Sequence, residues 1–304
     1  MATRNMKSRP AANAYGFTQL TYWRRILLML CFFVLMMVLA GFASQLAAQF
    51  TAHGSREFYL LTSVFQNLIG FAGTAFVTAL FMSTRPLSML GLNVVCHWRS
   101  VLGIILVFAV GLPFLNQTVW WNQQMHFPAA LTGLESTIRS WEESALSATG
   151  TMLTGTSVST LLVNIAVIGI FTGFCEELLF RGTFQRVIGS GGLGPHAAIW
   201  ITAVLFSTLH FQFFGFLPRL LLGAFFGYLL YWTGSVWVSA IAHALNNSIT
   251  VFASWLIANG MAGQDLDTVG VTKAGFPAVA CISLALVLCV LIGMRGYLFS
   301  TKRL

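Results

Sequence analysis

The feature that most constrains this chain is a succession of long apolar runs separated by short polar segments. A helix needs about 20 mostly apolar residues to cross the hydrocarbon layer of a membrane. The runs lie at residues 26–48, 58–82, 101–121, 158–180, 196–214, 218–233, 236–257 and 276–295. Only 8% of the residues are charged and the mean hydropathy is +0.80, whereas soluble domains carry about 25% charged residues. The pattern excludes a water-soluble globule and predicts an all-α, polytopic transmembrane helical bundle of about eight spans.

The basic residues predict how this bundle is oriented. If both termini lie on one side, that side collects most of the Lys and Arg residues and no acidic residue. These basic residues are Arg4, Lys7, Arg9, Arg24, Arg25, Arg85, Arg99, Arg181, Arg186, Arg295, Lys302 and Arg303. Because positive residues concentrate on the cytoplasmic side, we expect a multi-pass protein of the bacterial inner membrane with both termini cytoplasmic. The net charge of +8 is therefore a topology signal, and a nucleic-acid partner is not expected.

The segment from residue 122 to 155 is the one long loop, and it is predicted to be external. Its apolar residues Leu134, Ile138, Trp141 and Leu146 recur near helical spacing, which favours an amphipathic helix over 131–150 at the membrane interface. We divide the chain into N-terminal membrane helices with this loop (1–156), a helical core that carries the polar motifs (157–256) and a C-terminal membrane helix (257–304). The fifth and sixth runs are the least clearly separated.

Two acidic residues, Glu176 and Glu177, fall near the end of the fourth apolar run. A carboxylate in hydrocarbon costs a few kcal/mol, so each needs compensation. Glu177 and Arg181 are four residues apart and share a helix face, in the favourable order for an ion pair. Glu176 is rotated by about 100° from Glu177 and is left without that partner. The alternative is that both side chains reach cytoplasmic water from the membrane edge.

Two later apolar runs carry histidines. Phe206 and His210 share one helix face, as do His243 and Asn247. If the fourth and fifth helices form a hairpin, Glu176 and His210 lie within about two helical turns in depth. A cluster of Glu, two His and Asn is able to activate a water molecule, by general base or by metal, and to stabilise an oxyanion.

These residues resemble the three motifs of the CAAX prenyl protease type 2 and bacteriocin-processing family, also called CPBP or Abi. The motifs EExxxR, FxxxH and HxxxN are matched by Glu176 to Arg181, Phe206 to His210 and His243 to Asn247. The resemblance covers residues 157–256. Each of the last two motifs is weak alone, but the ordered set on three separate apolar runs is specific.

The resemblance implies an intramembrane endopeptidase whose substrate is a peptide or protein, lipidated or membrane-embedded, in contact with membrane lipid. Glu176 would activate the attacking water, and His210, His243 and Asn247 would orient it, stabilise the oxyanion or bind a metal. Glu177 and Arg181 would support the site. Eukaryotic relatives remove the last three residues after a prenylated cysteine, and some bacterial relatives are linked to bacteriocin maturation or immunity.

Two alternatives stay open on the sequence. Glu176, His210 and His243 are able to form a zinc-like site with one open position, but a metal-free site with Glu176 as the base explains the residues equally well. The second alternative is a non-enzymatic scaffold or transporter that uses the polar cluster for ion pairs or substrate coordination. The lack of a convincing repeat between the two halves of the chain weighs against a transporter.

Overall fold

The computed structural model describes residues 20–301, which fold into helices and turns with no strand. The helices are α1 (Tyr22–Ala47), α2 (Arg56–Met82), α3 (Pro86–Leu90), α4 (Trp98–Gln123), α5 (Thr132–Leu153), α6 (Val158–Gly189), α7 (Pro195–Thr208), α8 (Phe216–Thr233), α9 (Val236–Ala258) and α10 (Ala278–Thr301). Five of the basic residues used for orientation, Arg4, Lys7, Arg9, Lys302 and Arg303, lie outside the described residues.

The predicted transmembrane bundle is confirmed. Within residues 20–301, seven helices are long and apolar enough to cross a membrane, so the chain is an integral multi-pass membrane protein. The fifth span is shorter than the predicted run of residues 196–214. Its helix, α7, has only 14 residues and is about 21 Å long at 1.5 Å per residue.

The turn after α7 supplies the missing length. α7 begins beside Gly234, and the turn that follows it reaches Asn122 near the end of α4. The Asn122 side chain donates to the Phe213 carbonyl at 3.0 Å and accepts from the Leu217 amide at 2.6 Å. α7 and its turn therefore run from one end of the bundle to the other, as a shortened span would.

The amphipathic helix predicted in the long loop is present as α5, and its two faces differ. Leu134, Trp141 and Leu146 are exposed on it. On its other face, a Glu142 carboxylate oxygen accepts from the Phe214 amide at 2.9 Å, and the Arg139 guanidinium lies 3.8 Å from the centre of the Phe214 ring. α5 thus contacts the turn between α7 and α8 with its charged residues.

Glycines on α6 allow α9 to approach closely. A Cβ added at Gly173 would lie 3.0 Å from the Ala244 amide nitrogen and 3.2 Å from the Ala244 Cα, both backbone atoms. A Cβ added at Gly169, one turn earlier, would meet the Ser248 side chain and lie 3.6 Å from the Ser248 Cα. Small residues spaced by four let two membrane helices pack backbone to backbone. This contact places His243, the neighbour of Ala244, against the glutamate pair of α6.

Candidate active site

A fully buried ion pair anchors the site on α6. The Arg181 Nη1 donates to Glu177 Oε1 at 2.8 Å, and both side chains have 0% exposure. The Arg181 Nη2 donates to the Gly223 carbonyl of α8 at 2.8 Å. The expected ion pair is confirmed. Because both side chains are fully buried, the alternative that Glu177 reaches cytoplasmic water does not hold.

Glu177 also orients His243. The His243 Nδ1 lies 2.9 Å from Glu177 Oε1, the same oxygen that accepts from Arg181. Because the Glu177 carboxylate is ionised beside Arg181, Nδ1 is assigned as the donor. A neutral His243 then carries its lone pair on Nε2. Glu177 thus fixes the tautomer of His243, and Arg181 neutralises the charge of Glu177.

Glu176 faces both histidines. Its Oε2 lies 3.8 Å from His243 Nε2 and 4.0 Å from His210 Nε2. This oxygen is buried and has no hydrogen-bond partner among residues 20–301. The expected proximity of Glu176 and His210 is confirmed. A buried carboxylate oxygen without a partner is costly, and the two Nε2 atoms that surround it are spaced to share one small hydrogen-bonding molecule with it.

His210 is held by the end of α7. Its Nδ1 donates to the Phe206 carbonyl at 2.7 Å, because a carbonyl can only accept, and a neutral His210 therefore has its lone pair on Nε2. The next residue, Phe211, has φ of 53°, a left-handed conformation that is uncommon for a bulky side chain. The His210 side chain is 30% exposed, so the cluster is open on this side.

Aromatic rings close the other sides of the cluster. The Phe206 ring lies 4.8 Å from His210 and 5.6 Å from His243 between ring centres, and its centre lies 4.7 Å from the Arg181 Cζ. The Phe226 ring stacks on His243 at 4.9 Å. The phenylalanine of the FxxxH motif therefore contacts three of the predicted site residues and keeps water from the buried ion pair.

Asn247 lies one helical turn beyond His243, but its contacts point elsewhere. Its Nδ2 donates to the Ile168 carbonyl at 3.2 Å, and its Oδ1 accepts from Asn246 at 3.2 Å. Ile168 belongs to a π-helical stretch of α6, Ile165–Phe171, and such stretches are frequent at functional sites. Within residues 20–301, none of the hydrogen bonds of Asn247 reaches Glu176 or His243.

The spacing of the three proposed ligands does not match a zinc site. Ligand atoms about 2.0–2.1 Å from a tetrahedral zinc lie about 3.3 Å from one another. Here Glu176 Oε2 lies 3.8 Å from His243 Nε2 and 4.0 Å from His210 Nε2. Among the residues that the structure describes, no group of three His, Cys, Asp or Glu side chains is arranged to hold a metal ion. We therefore derive no chemical step through a metal.

The glycines that bring α6 and α9 together were not among the residues predicted from the sequence. Gly169 and Gly173 form a GxxxG pattern that is visible in the sequence, next to the glutamate pair. A second GxxxG pattern, Gly223 and Gly227 on α8, also marks a close contact, since a Cβ at Gly223 would lie 3.2 Å from Ala203. No sequence pattern predicts that the Gly223 carbonyl accepts a hydrogen bond from Arg181.

Comparison with known proteins agrees with this geometry. Residues 158–249 match the sequence profile of the family described as type II CAAX prenyl endopeptidase, Rce1-like. That segment is similar to this family. It contains the three motifs, from Glu176 to Asn247, that carry the resemblance noted from the sequence, and the family is one of peptidases.

One curated relative is distant and partial. The uncharacterized protein YpbD of Bacillus subtilis is 27% identical over 90 residues, which are 28% of this chain and 43% of YpbD. The chain thus matches less than half the length of that relative. No solved structure matches this chain significantly.

Proposed function

We propose that this chain is an intramembrane peptidase in which Glu176 activates the water that attacks a peptide bond. The observation that carries the proposal is the buried, unpartnered Glu176 Oε2 with His210 Nε2 and His243 Nε2 at 4.0 and 3.8 Å. A water molecule about 2.8 Å from these atoms fits these separations, with one O–H directed at Glu176 and the other at one of the histidines. The family of residues 158–249 supports the same chemistry.

In the proposed reaction, the Glu176 carboxylate takes one proton from the water, and the hydroxide oxygen attacks the carbonyl carbon of the scissile bond. The carbonyl oxygen becomes an oxyanion. The proton held by Glu176 then passes to the leaving amine nitrogen as the carbon–nitrogen bond breaks. The second O–H of the water donates to the Nε2 of one of the two histidines, His243, which is held by Glu177, or His210, which is held by the Phe206 carbonyl, and this bond orients the water.

Asn247 is the proposed oxyanion donor. Its amide carries two N–H groups, and one of them is used by the Ile168 carbonyl. The second is free to donate to the charge that develops in the transition state. Because this bond forms only as the charge develops, we expect Asn247 to contribute to turnover more than to substrate binding.

The proposed substrate is a peptide or protein at the membrane. The description of the family includes prenyl substrates, so the first peptides to test are a farnesylated CAAX peptide and its unmodified counterpart. Each is incubated with the purified protein with and without a chelator. Activity that survives chelation supports the metal-free site, and loss that zinc restores would show that a metal is required.

Glu176→Gln is the variant that tests the general base. It keeps the shape of the side chain and removes its basicity, so we expect turnover to fall by about 10²–10⁴ with unchanged thermal stability. The matched control is Glu143→Gln, the same change at an exposed glutamate of α5, which should leave turnover unchanged. Full turnover by Glu176→Gln would refute the assignment. Absence of hydrolysis by the wild type with every peptide would favour a scaffold or transporter.

A further inference from the structure

Arg219 is a cation of the bundle that the proposed reaction does not use. It lies in the first turn of α8, and it contacts the turn that follows α7 and carries His210. Its Nη1 donates to the Gln212 carbonyl at 2.9 Å, and its Nη2 donates to the Gln212 side-chain oxygen. Two of its five N–H groups are thus used by one neutral residue.

The two membrane-helix arginines of the site differ in their partners. Arg181 has a carboxylate at 2.8 Å, whereas no Asp or Glu among the described residues lies within 4 Å of Arg219. A charged side chain in a membrane span is costly and marks a functional site by default. Arg219 is also only partly buried, so an incoming group is able to reach it.

Arg219 is linked to the candidate active site through the segment that it holds. Gln212, which accepts both hydrogen bonds from the guanidinium, lies two residues after His210. The guanidinium is held close to the backbone by a glycine. A Cβ added at Gly215 would lie 2.7 Å from Nη2, 2.8 Å from Nη1 and 2.9 Å from Cζ. Gly215 therefore provides the space in which the guanidinium lies against the turn that follows α7.

We propose that Arg219 binds a carboxylate of the peptide substrate and thereby selects peptides that carry a negative charge near the scissile bond. This inference rests on the proposed peptidase function. The guanidinium fork matches a carboxylate in two parallel hydrogen bonds, and Arg219 has three N–H groups that Gln212 does not use. Because the guanidinium is held by Gln212, two residues after His210, a carboxylate bound to Arg219 lies close to the segment that carries His210 and the activated water.

A carboxylate near the scissile bond has two sources, the C-terminus of the peptide and an Asp or Glu side chain. Three peptides of one sequence separate them: one with a free C-terminus, one with an amidated C-terminus, and an amidated one with a single Glu added beside the cleaved bond. With the wild type, we expect the KM of the neutral amidated peptide to exceed that of at least one charged peptide by about 10- to 100-fold.

The variants separate recognition from folding. Arg219→Gln should raise the KM of the preferred charged peptide by about 10- to 100-fold, with little change in kcat and no change for the neutral peptide. Arg219→Lys, which keeps the charge, should recover part of the loss. Gly215→Ala should displace the guanidinium and reproduce the loss with Arg219 intact. The control is Lys273→Gln, which removes one charge from an exposed loop and should change nothing.

Binding of the same peptides to the Glu176→Gln protein, followed by fluorescence anisotropy, tests Arg219 without hydrolysis. Equal affinity for charged and neutral peptides, or an equal loss for both on Arg219→Gln, would overturn the inference while hydrolysis by the wild type leaves the proposed function standing. Preferential loss of binding to anionic lipid vesicles in Arg219→Gln, with peptide binding unchanged, would overturn it in favour of a lipid phosphate.

Discussion

Replacing Glu177 by Gln should destabilise the protein and inactivate it for two separable reasons. The change leaves the Arg181 guanidinium, with 0% exposure, without its anionic partner. Removing one member of a buried ion pair costs about 3–5 kcal/mol, because the other charge stays in a low-dielectric interior. The expected fall in Tm is on the order of 10 °C. The His243 Nδ1 also loses the charged acceptor that lies 2.9 Å away.

A double variant separates the two effects. Glu177→Leu combined with Arg181→Met removes both charges and fills the space with apolar groups, which is often neutral or stabilising for a buried pair. We expect the double variant to recover most of the Tm but not the activity, because His243 then has no acceptor to hold its tautomer. The Glu176→Gln protein is the control, inactive with the Tm of the wild type.

Thermal unfolding in detergent and kcat on the best peptide substrate are the measurements. A Glu177→Gln protein as stable as the wild type would refute the energetic reasoning about the buried pair. A double variant with wild-type kcat would refute the orienting role of Glu177. Inactivity of Glu177→Gln with full stability would indicate that the roles of the two glutamates are reversed.

Four further predictions address helix packing, the oxyanion, acid stability and topology. Gly173→Ala places a methyl group 3.0 Å from a backbone nitrogen of α9, so it should lower both Tm and activity, whereas Gly41→Ala, with nothing within 4 Å, should be neutral or slightly stabilising. Asn247→Asp should retain partial activity, and Asn247→Leu should lose about 10²–10³ in kcat with little change in KM; a higher KM with unchanged kcat would make this residue a substrate-binding or packing residue. The pKa of Glu135 is lowered to about 2, first by the Phe127 amide and then by neighbouring side chains. The stabilisation that the ionised Glu135 contributes to α5 is therefore fully present above the ordinary Glu pKa of about 4.3 and is lost as pH falls through about 2. Hydrogen exchange in α5 should accelerate over that pH range in the wild type, and the Glu135→Gln protein should show no such acceleration. Reporters fused to either terminus should read as cytoplasmic and those in the loop that carries α5 as external; an external C-terminus would contradict the even number of crossings.

The sequence alone was sufficient for the class of fold and for the choice of polar residues. Apolar runs of about 20 residues can satisfy their backbone groups in lipid only as helices, so composition and run length decide the architecture. Charges inside such runs are costly and therefore conspicuous, which is why Glu176, Glu177 and the two histidines stood out. The Glu177–Arg181 pair was also predictable, because a spacing of four residues brings two side chains together on one helix without any tertiary contact.

The tertiary structure decided which partners those residues have, since contacts between helices depend on packing that no local pattern encodes. The place of α7 between α6 and α8 brings His210 within 4.0 Å of Glu176. The close approach of α9 at Gly173 brings His243 into contact with Glu177. Packing also buries the ion pair completely, where the sequence had left open that the glutamates reach water. It aims the Asn247 amide at Ile168 and leaves Arg219 beside Gln212 with no carboxylate among the described residues within 4 Å. Each of these arrangements joins residues far apart in the chain, so only the packed bundle determines them.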